Sequence, residues 1–155
     1  MVTTQEKLKE MHQCAGEQPC VCFNIRRAAR VITAFYDEAL KPVGLRSSQL
    51  GLMGIVTKMG PLTIGLLAEA TCTDRTTLTR NLRPLEREGY LKVLSGSADR
   101  REKEVVITQK GKETLQSALP IWQAVQKKIH QKLGLKRCKQ LMKALCGVVK
   151  DIEKL

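Results

Sequence analysis

The chain has 155 residues, 43% of them hydrophobic and 27% charged, which suits one globular domain with a buried core. A formal net charge of +12 points to an acidic partner, and five aromatic residues are too few for a base-stacking RNA platform, which leaves duplex DNA. Met1 to Gln13 is polar with no leader pattern, and no run approaches the roughly 18 apolar residues of a membrane span. The expected location is cytoplasmic with no membrane partner, so the six cysteines are expected as thiols.

From Pro19 to Leu40, apolar residues at Val21, Ile25, Ala28, Ile32, Phe35 and Ala39 recur in steps of four and three. That spacing predicts a helix whose stripe packs along another helix. Lys41-Pro42-Val43-Gly44 ends it. A second helix is predicted from Ser47 to Met59, giving Leu50, Met53, Ile55 and Val56 to the core. Thr63 is placed to cap a third, Ile64 to Ala70, the first half of a helix-turn-helix.

The segment Thr73 to Gly89 puts Leu78, Leu82 and Leu85 on one buried stripe. At about 100° per residue the opposite side carries Thr76, Arg80, Arg83 and Arg87, flanked by Thr77 and Thr79. Short hydroxyls and forked cations reach base edges and phosphates in a major groove. We expect Thr76, Thr77, Thr79 and Arg80 at base edges, and Arg75 and Arg83 nearer phosphate. Thr73 or Asp74 caps this helix. Tyr90 to Leu94 and Glu104 to Thr108 read as two strands of a hairpin, joined by a turn-rich loop with the basic tip Asp99-Arg100-Arg101. Such a tip suits a narrow, electronegative minor groove. Helix and basic hairpin together make a winged helix.

Asp74-Arg75-Thr76-Thr77-Leu78-Thr79-Arg80 resembles the recognition-helix motif of the MarR family of bacterial transcriptional regulators, and Asp99-Arg100-Arg101 resembles its wing motif. The resemblance runs from about Phe23 to the C-terminus. It implies that Arg101 enters the minor groove with Asp99 holding its guanidinium, and Arg100 is expected at a phosphate.

Thr108 is placed to cap a helix with an apolar face through Leu115, Ala118, Leu119, Trp122, Val125, Ile129 and Leu133; Pro120 is expected to kink it and Gly134 to end it. A last helix carries Cys138, Leu141, Leu145, Val148, Ile152 and Leu155 at seam spacing. Three such stripes on a monomer would leave too much apolar surface wet, so a homodimer is expected, as the family resemblance also implies. Its two-fold symmetry implies a pseudo-palindromic operator. The expected class is mainly α with a small antiparallel β-hairpin: one winged-helix domain over 1–155. Residues of about 19–41 and 109–155 would dimerise, and about 47–108 would form the DNA-binding lobe. From Lys127 to Leu155, nine Lys and Arg stand against two Asp and Glu; they touch flanking phosphates or keep the protein soluble.

Cys14, Cys20 and Cys22 crowd the start of the first helix, and Cys20 and Cys22 are expected in its first turn. There the positive helix end and Arg26, Arg27 and Arg30 favour a thiolate. Cys22-Phe23 followed by Tyr36 resembles the organic-peroxide-sensing branch of the family, although Arg26 and Ser47-Ser48 stand where that branch has further tyrosines. Fourteen helical residues span about 21 Å, so Tyr36 is expected to meet the partner's sensor thiol rather than its own. In that branch a resolving thiol comes from the other subunit, which Cys138 or Cys146 would supply. The plainer alternative makes Cys22, Cys72, Cys138 and Cys146 small buried hydrophobes.

His12 and His130 read as surface residues, and Cys20 and Cys22 in a regular helix point about 200° apart, so Cys-X-Cys chelation requires that segment to be unwound, with Cys14 to help; this is the weaker reading, and no metal and no cofactor is expected. No carboxylate dyad, Ser-His-Asp set or phosphate loop is present, so an enzyme is not expected. The expected function is a sequence-specific DNA-binding regulator, a repressor released by an oxidant or by a small aromatic effector between the dimerisation helices and the winged lobe. The alternative is a thiol-dependent redox enzyme or thiol-trapping protein on the same scaffold.

Overall fold

The computed structural model describes residues 20–96 and 101–153, with Thr3 and Gln5. His12, Cys14, Pro19, Asp99, Arg100 and Leu155 lie outside the described residues. In chain order the elements are α1 (Val21–Leu40), a 3-10 turn (Lys41–Val43), α2 (Ser47–Met59), β1 (Leu62–Thr63), α3 (Ile64–Ala70), α4 (Arg75–Arg87), β2 (Leu91–Ser95), β3 (Lys103–Ile107), α5 (Gln109–Leu133) and α6 (Leu135–Ile152). The fold is mainly helical with a small antiparallel sheet, a winged helix-turn-helix, as the sequence predicts.

The helix starts follow the capping residues. Thr63 Oγ1 accepts from Leu66 N at 3.2 Å and Thr108 Oγ1 from Gly111 N at 3.0 Å, each satisfying a first-turn N–H that the helix leaves unpaired. The start of α2 is held from elsewhere: Asp37 Oδ1, on α1, accepts from Ser47 N at 2.7 Å. That bond ties α1 to the lobe. Glycines with left-handed φ close the other ends, Gly44 after the 3-10 turn and Gly134 between α5 and α6. Helix α5 continues through Pro120.

The sheet has the order β1-β3-β2, one strand more than the expected hairpin. Leu62 pairs with Val105 and Thr63 with Glu104. The addition is a two-residue strand, too short to show alternation in the sequence. The hairpin strands shift by one residue from expectation: Tyr90 and Thr108 leave the ladder, and the Thr108 N–H and hydroxyl both bond the Tyr90 carbonyl where α5 begins.

One core fills the lobe. Met53 and Val56 of α2, Leu67 of α3, Leu78, Leu82 and Leu85 of α4, Leu91 of β2 and Val105 of β3 are all essentially inaccessible, and Leu40 and Ala118 close the cluster from α1 and α5. Leu50 and Ile55 are half-buried against it. Outside the lobe the picture changes: α1 buries only Leu40, and α6 buries no residue at all.

Candidate nucleic-acid interface

Helix α4 is amphipathic: its leucine stripe locks it to the core, and the opposite face stands in solvent. Asp74 is the cap, of the two candidates Thr73 and Asp74; its carboxylate accepts from Thr77 N at 2.8 Å. That backbone bond holds the Asp74 carboxyl below the usual range, with the Thr77 hydroxyl adding to it, so the helix start carries a fixed negative charge beside Arg75.

Arg75, Thr76, Thr79, Arg80 and Arg83 line one shallow concave surface. Thr77 stands apart from it, half-buried, with its N–H committed to Asp74. The Thr79 hydroxyl donates to the Arg75 carbonyl at 2.7 Å, which leaves its lone pairs and methyl group for an outside partner. In the wing, Gly96 N bonds the Glu102 carbonyl at 2.8 Å and pins the base of the loop. Arg101 follows the loop and is exposed; the Asp99 and Arg100 assignments fall outside the described residues.

The turn between α3 and α4 contains Cys72, the one non-glycine residue with left-handed φ among the described residues. Its thiol donates to Glu153 Oε1, at the end of α6, at 3.2 Å. That hydrogen bond and the adjacent negative charge push the Cys72 thiol up from its usual range. Cys72 is therefore no small buried hydrophobe, and its exposure corrects that reading.

Cys20 is also placed differently from expectation. It is the N-cap of α1 with extended backbone, so the first turn begins at Val21 and only Cys22 lies within it. The Cys20 carbonyl accepts from both Asn24 N and Asn24 Nδ2. Cys20, Cys22 and Cys146 are exposed and Cys138 is half-buried; all are free thiols. Tyr36, the sixteenth of the twenty residues of α1, lines a cleft of about 610 Å³ between α1, α2 and α5, with Ile32, Leu50, Leu115, Leu119 and Trp122. Burial raises the Tyr36 phenol above its usual range, so it stays a neutral donor at the cleft wall. Ser47 and Gln116 also line this cleft, and nothing in the sequence marks Gln116 for it. Single side chains drawn from three separated helices carry no local motif.

Among the described residues no group of three His, Cys, Asp or Glu side chains could hold a metal, and no helix is long and apolar enough to cross a membrane.

The concave face of α4 and Arg101 fall within residues 45–103, which match the family model described as MarR family. The chain is similar to the transcriptional regulator MosR of M. tuberculosis, solved in complex with DNA: identity is 34%, the match covers 86% of this chain and 98% of that one, and the TM-score is 0.75. It is also similar to YwoH of Bacillus subtilis (strain 168), an uncharacterized HTH-type transcriptional regulator, at 33% identity over 89 residues. That match spans 57% of this chain and 64% of YwoH, slightly under two thirds of the relative's length. A mutant MarR from E. coli complexed with operator DNA shares the fold at a TM-score of 0.75, with 19% identity over 83% of this chain and 92% of that one. The helix-turn-helix and wing therefore match the family model, and 86% of the chain matches MosR in fold and sequence together, so the chain belongs to the MarR family of winged helix-turn-helix transcriptional regulators.

Proposed function

We propose that this regulator is a cytoplasmic homodimer that binds a pseudo-palindromic duplex operator, represses transcription from it, and acts by binding rather than by catalysis. The observation that carries this reading is the single concave face of α4 shared by Arg75, Thr76, Thr79, Arg80 and Arg83. Arg80 is the side chain for a bidentate contact to guanine, Thr76 and Thr79 for base edges or a thymine methyl, and Arg75 and Arg83 for phosphates. Arg101 serves the minor groove, with Asp99 as its partner and Arg100 at a phosphate. That MosR has been solved with DNA supports the same partner here.

Dimerisation follows from the faces that the protomer leaves wet. Val21, Ile25, Ile32 and Phe35 of α1 and Leu141, Leu145, Val148 and Ile152 of α6 are all exposed, in the seam spacing of packed helices. A second protomer covers them and sets two copies of α4 into successive major grooves.

Two release signals fit the seam. Cys22, exposed in the first turn of α1, is the first: a hydroperoxide oxidises its thiolate to a sulfenic acid and leaves as the alcohol. A second thiol, Cys20 or the partner's Cys138 or Cys146, then condenses with it to a disulfide and water. A Cys20–Cys22 bond requires the first turn of α1 to rewind, and Cys20 already has extended backbone. Tyr36 would meet the thiol across the dimer. The cleft favours the second signal, a small aromatic effector flanked by Trp122 and hydrogen-bonded by Tyr36.

A gel shift with the DNA upstream of the chain's own gene tests these assignments. Wild type should bind; Arg101→Ala should bind far more weakly while remaining a folded dimer, and unchanged affinity at physiological salt would remove the wing assignment. Cys22→Ser should bind normally and ignore hydroperoxide. Release of Cys22→Ser by oxidant would move the sensor elsewhere, and peroxide turnover without DNA affinity would favour the thiol enzyme.

A further inference from the structure

Gly65, the second residue of α3, has no conformational need to be glycine. Its φ lies outside the left-handed region, and in helices glycine is a poorer former than every residue except proline. Gly51, Gly54 and Gly147 would each meet open space on gaining a Cβ. At Gly65 a Cβ would stand 2.9 Å from Arg75 Nη2, 3.5 Å from Cζ and 3.7 Å from Nε. Three atoms of one guanidinium at graded distances mean that the Arg75 group lies against the bare backbone of α3. Arg75 therefore starts on α4 and rests its charge on the neighbouring helix.

We propose that Gly65 is a positioning residue for DNA binding: the missing Cβ is the seat that holds the Arg75 guanidinium toward a backbone phosphate. The inference rests on the reading of α4 as the DNA-contacting helix. A long cation that is already seated loses less freedom on meeting its phosphate than one that roams. A Cβ at Gly65 displaces the flexible tip of Arg75 and no backbone atom, so the fold tolerates it while the contact does not.

The test uses Gly65→Ala, Arg75→Ala and the double variant of the full chain, with both a 30-base-pair random-sequence duplex and the DNA upstream of its gene. Phosphate contacts are sequence-independent, so the random duplex reads them directly. Gly65→Ala should make the slope of log affinity against log salt shallower by about 1.8 for the dimer, one phosphate for each of its two Arg75 side chains, which is about sixtyfold in affinity at 0.1 M salt. Arg75→Ala should match it, and the double variant should lose nothing further. Gly65→Ala should melt at or above the wild-type temperature, since alanine favours the helix. Wild-type affinity in Gly65→Ala, additive losses in the double variant, or a lowered melting temperature that Arg75→Ala does not restore would each overturn the proposal. Failure of wild type to bind either duplex would instead overturn the reading of α4 and take this inference with it.

Discussion

The winged lobe and the two terminal helices α1 and α6 carry the same kind of apolar spacing and have opposite fates in the protomer. Leu78, Leu82 and Leu85 on α4 are within 1% of full burial, whereas Leu141, Leu145, Val148 and Ile152 on α6 are exposed by 37% to 61%. A stripe at helical spacing establishes that a face must leave water; it does not say which chain covers it. In the lobe the cover is the same chain, because α2, α3, α4 and the sheet close around one another. On α1 and α6 the proposed cover is a second copy.

The largest expected effect separates the two kinds of stripe. Leu145→Lys or Ile152→Lys puts a charge into the proposed seam, where an unpaired buried ammonium costs more than the seam returns. Sedimentation should find monomer or insoluble protein, and a wild-type melting temperature that rises with protein concentration should accompany it. A well-folded, DNA-binding monomer from either variant would break the comparison. Leu85→Ala, inside the lobe, should cost about 2 to 5 kcal/mol in denaturant unfolding through the cavity that it leaves. A loss under 1 kcal/mol there would mean that the lobe core is looser than its burial indicates.

A smaller effect distinguishes base from backbone on α4. Arg80→Ala should cost about 1 to 3 kcal/mol against the operator and less against random duplex. Equal losses on the two DNAs would reassign Arg80 to phosphate.

Sequence and structure agree where one local rule acts alone. The caps Thr63 and Thr108, the terminator Gly134 and the leucine stripe of α4 each follow from short-range chemistry, and each stands where that chemistry puts it. The misses needed a distant element. β1 exists because Leu62 and Thr63 lie beside β3, some forty residues on; the residues themselves carry no strand pattern. Cys72 is held outward by Glu153 from the end of α6, a contact no spacing near Cys72 announces. The sequence puts Pro19 at the first helical position and Cys20 inside the first turn, but Cys20 itself takes the cap position. Gly65 was silent for a different reason: a glycine kept to make room for a neighbour's side chain has no sequence signature, whereas one kept for a left-handed turn, such as Gly134, sits beside a helix end.

The smallest effect lies at the joint between the two regions. Asp37, on α1, caps α2 through Ser47 N, and that bond holds its carboxyl below the usual range; burial opposes the shift, and the Ser47 hydroxyl and the charge of Arg46 assist it. A carboxylate whose folded pKa is depressed stabilises the fold above its unfolded value, about 3.9, and loses that contribution as pH falls through the folded value. Asp37 should therefore leave stability unchanged between pH 5 and 7 and steepen its decline below about pH 4. Asp74 is depressed in the same sense by Thr77, so both groups act in one acid window. Asp37→Asn keeps an acceptor oxygen for Ser47 N but cannot titrate, and denaturant unfolding followed from pH 6 to pH 2.5 should give a shallower acid decline than wild type. Asp74→Asn should flatten the same limb independently, because its partner Thr77 belongs to α4 and not to the joint. Superimposable acid limbs for wild type and Asp37→Asn would mean that the Ser47 bond is made equally well by the protonated acid, and that the tie between α1 and the lobe does not depend on the charge of Asp37.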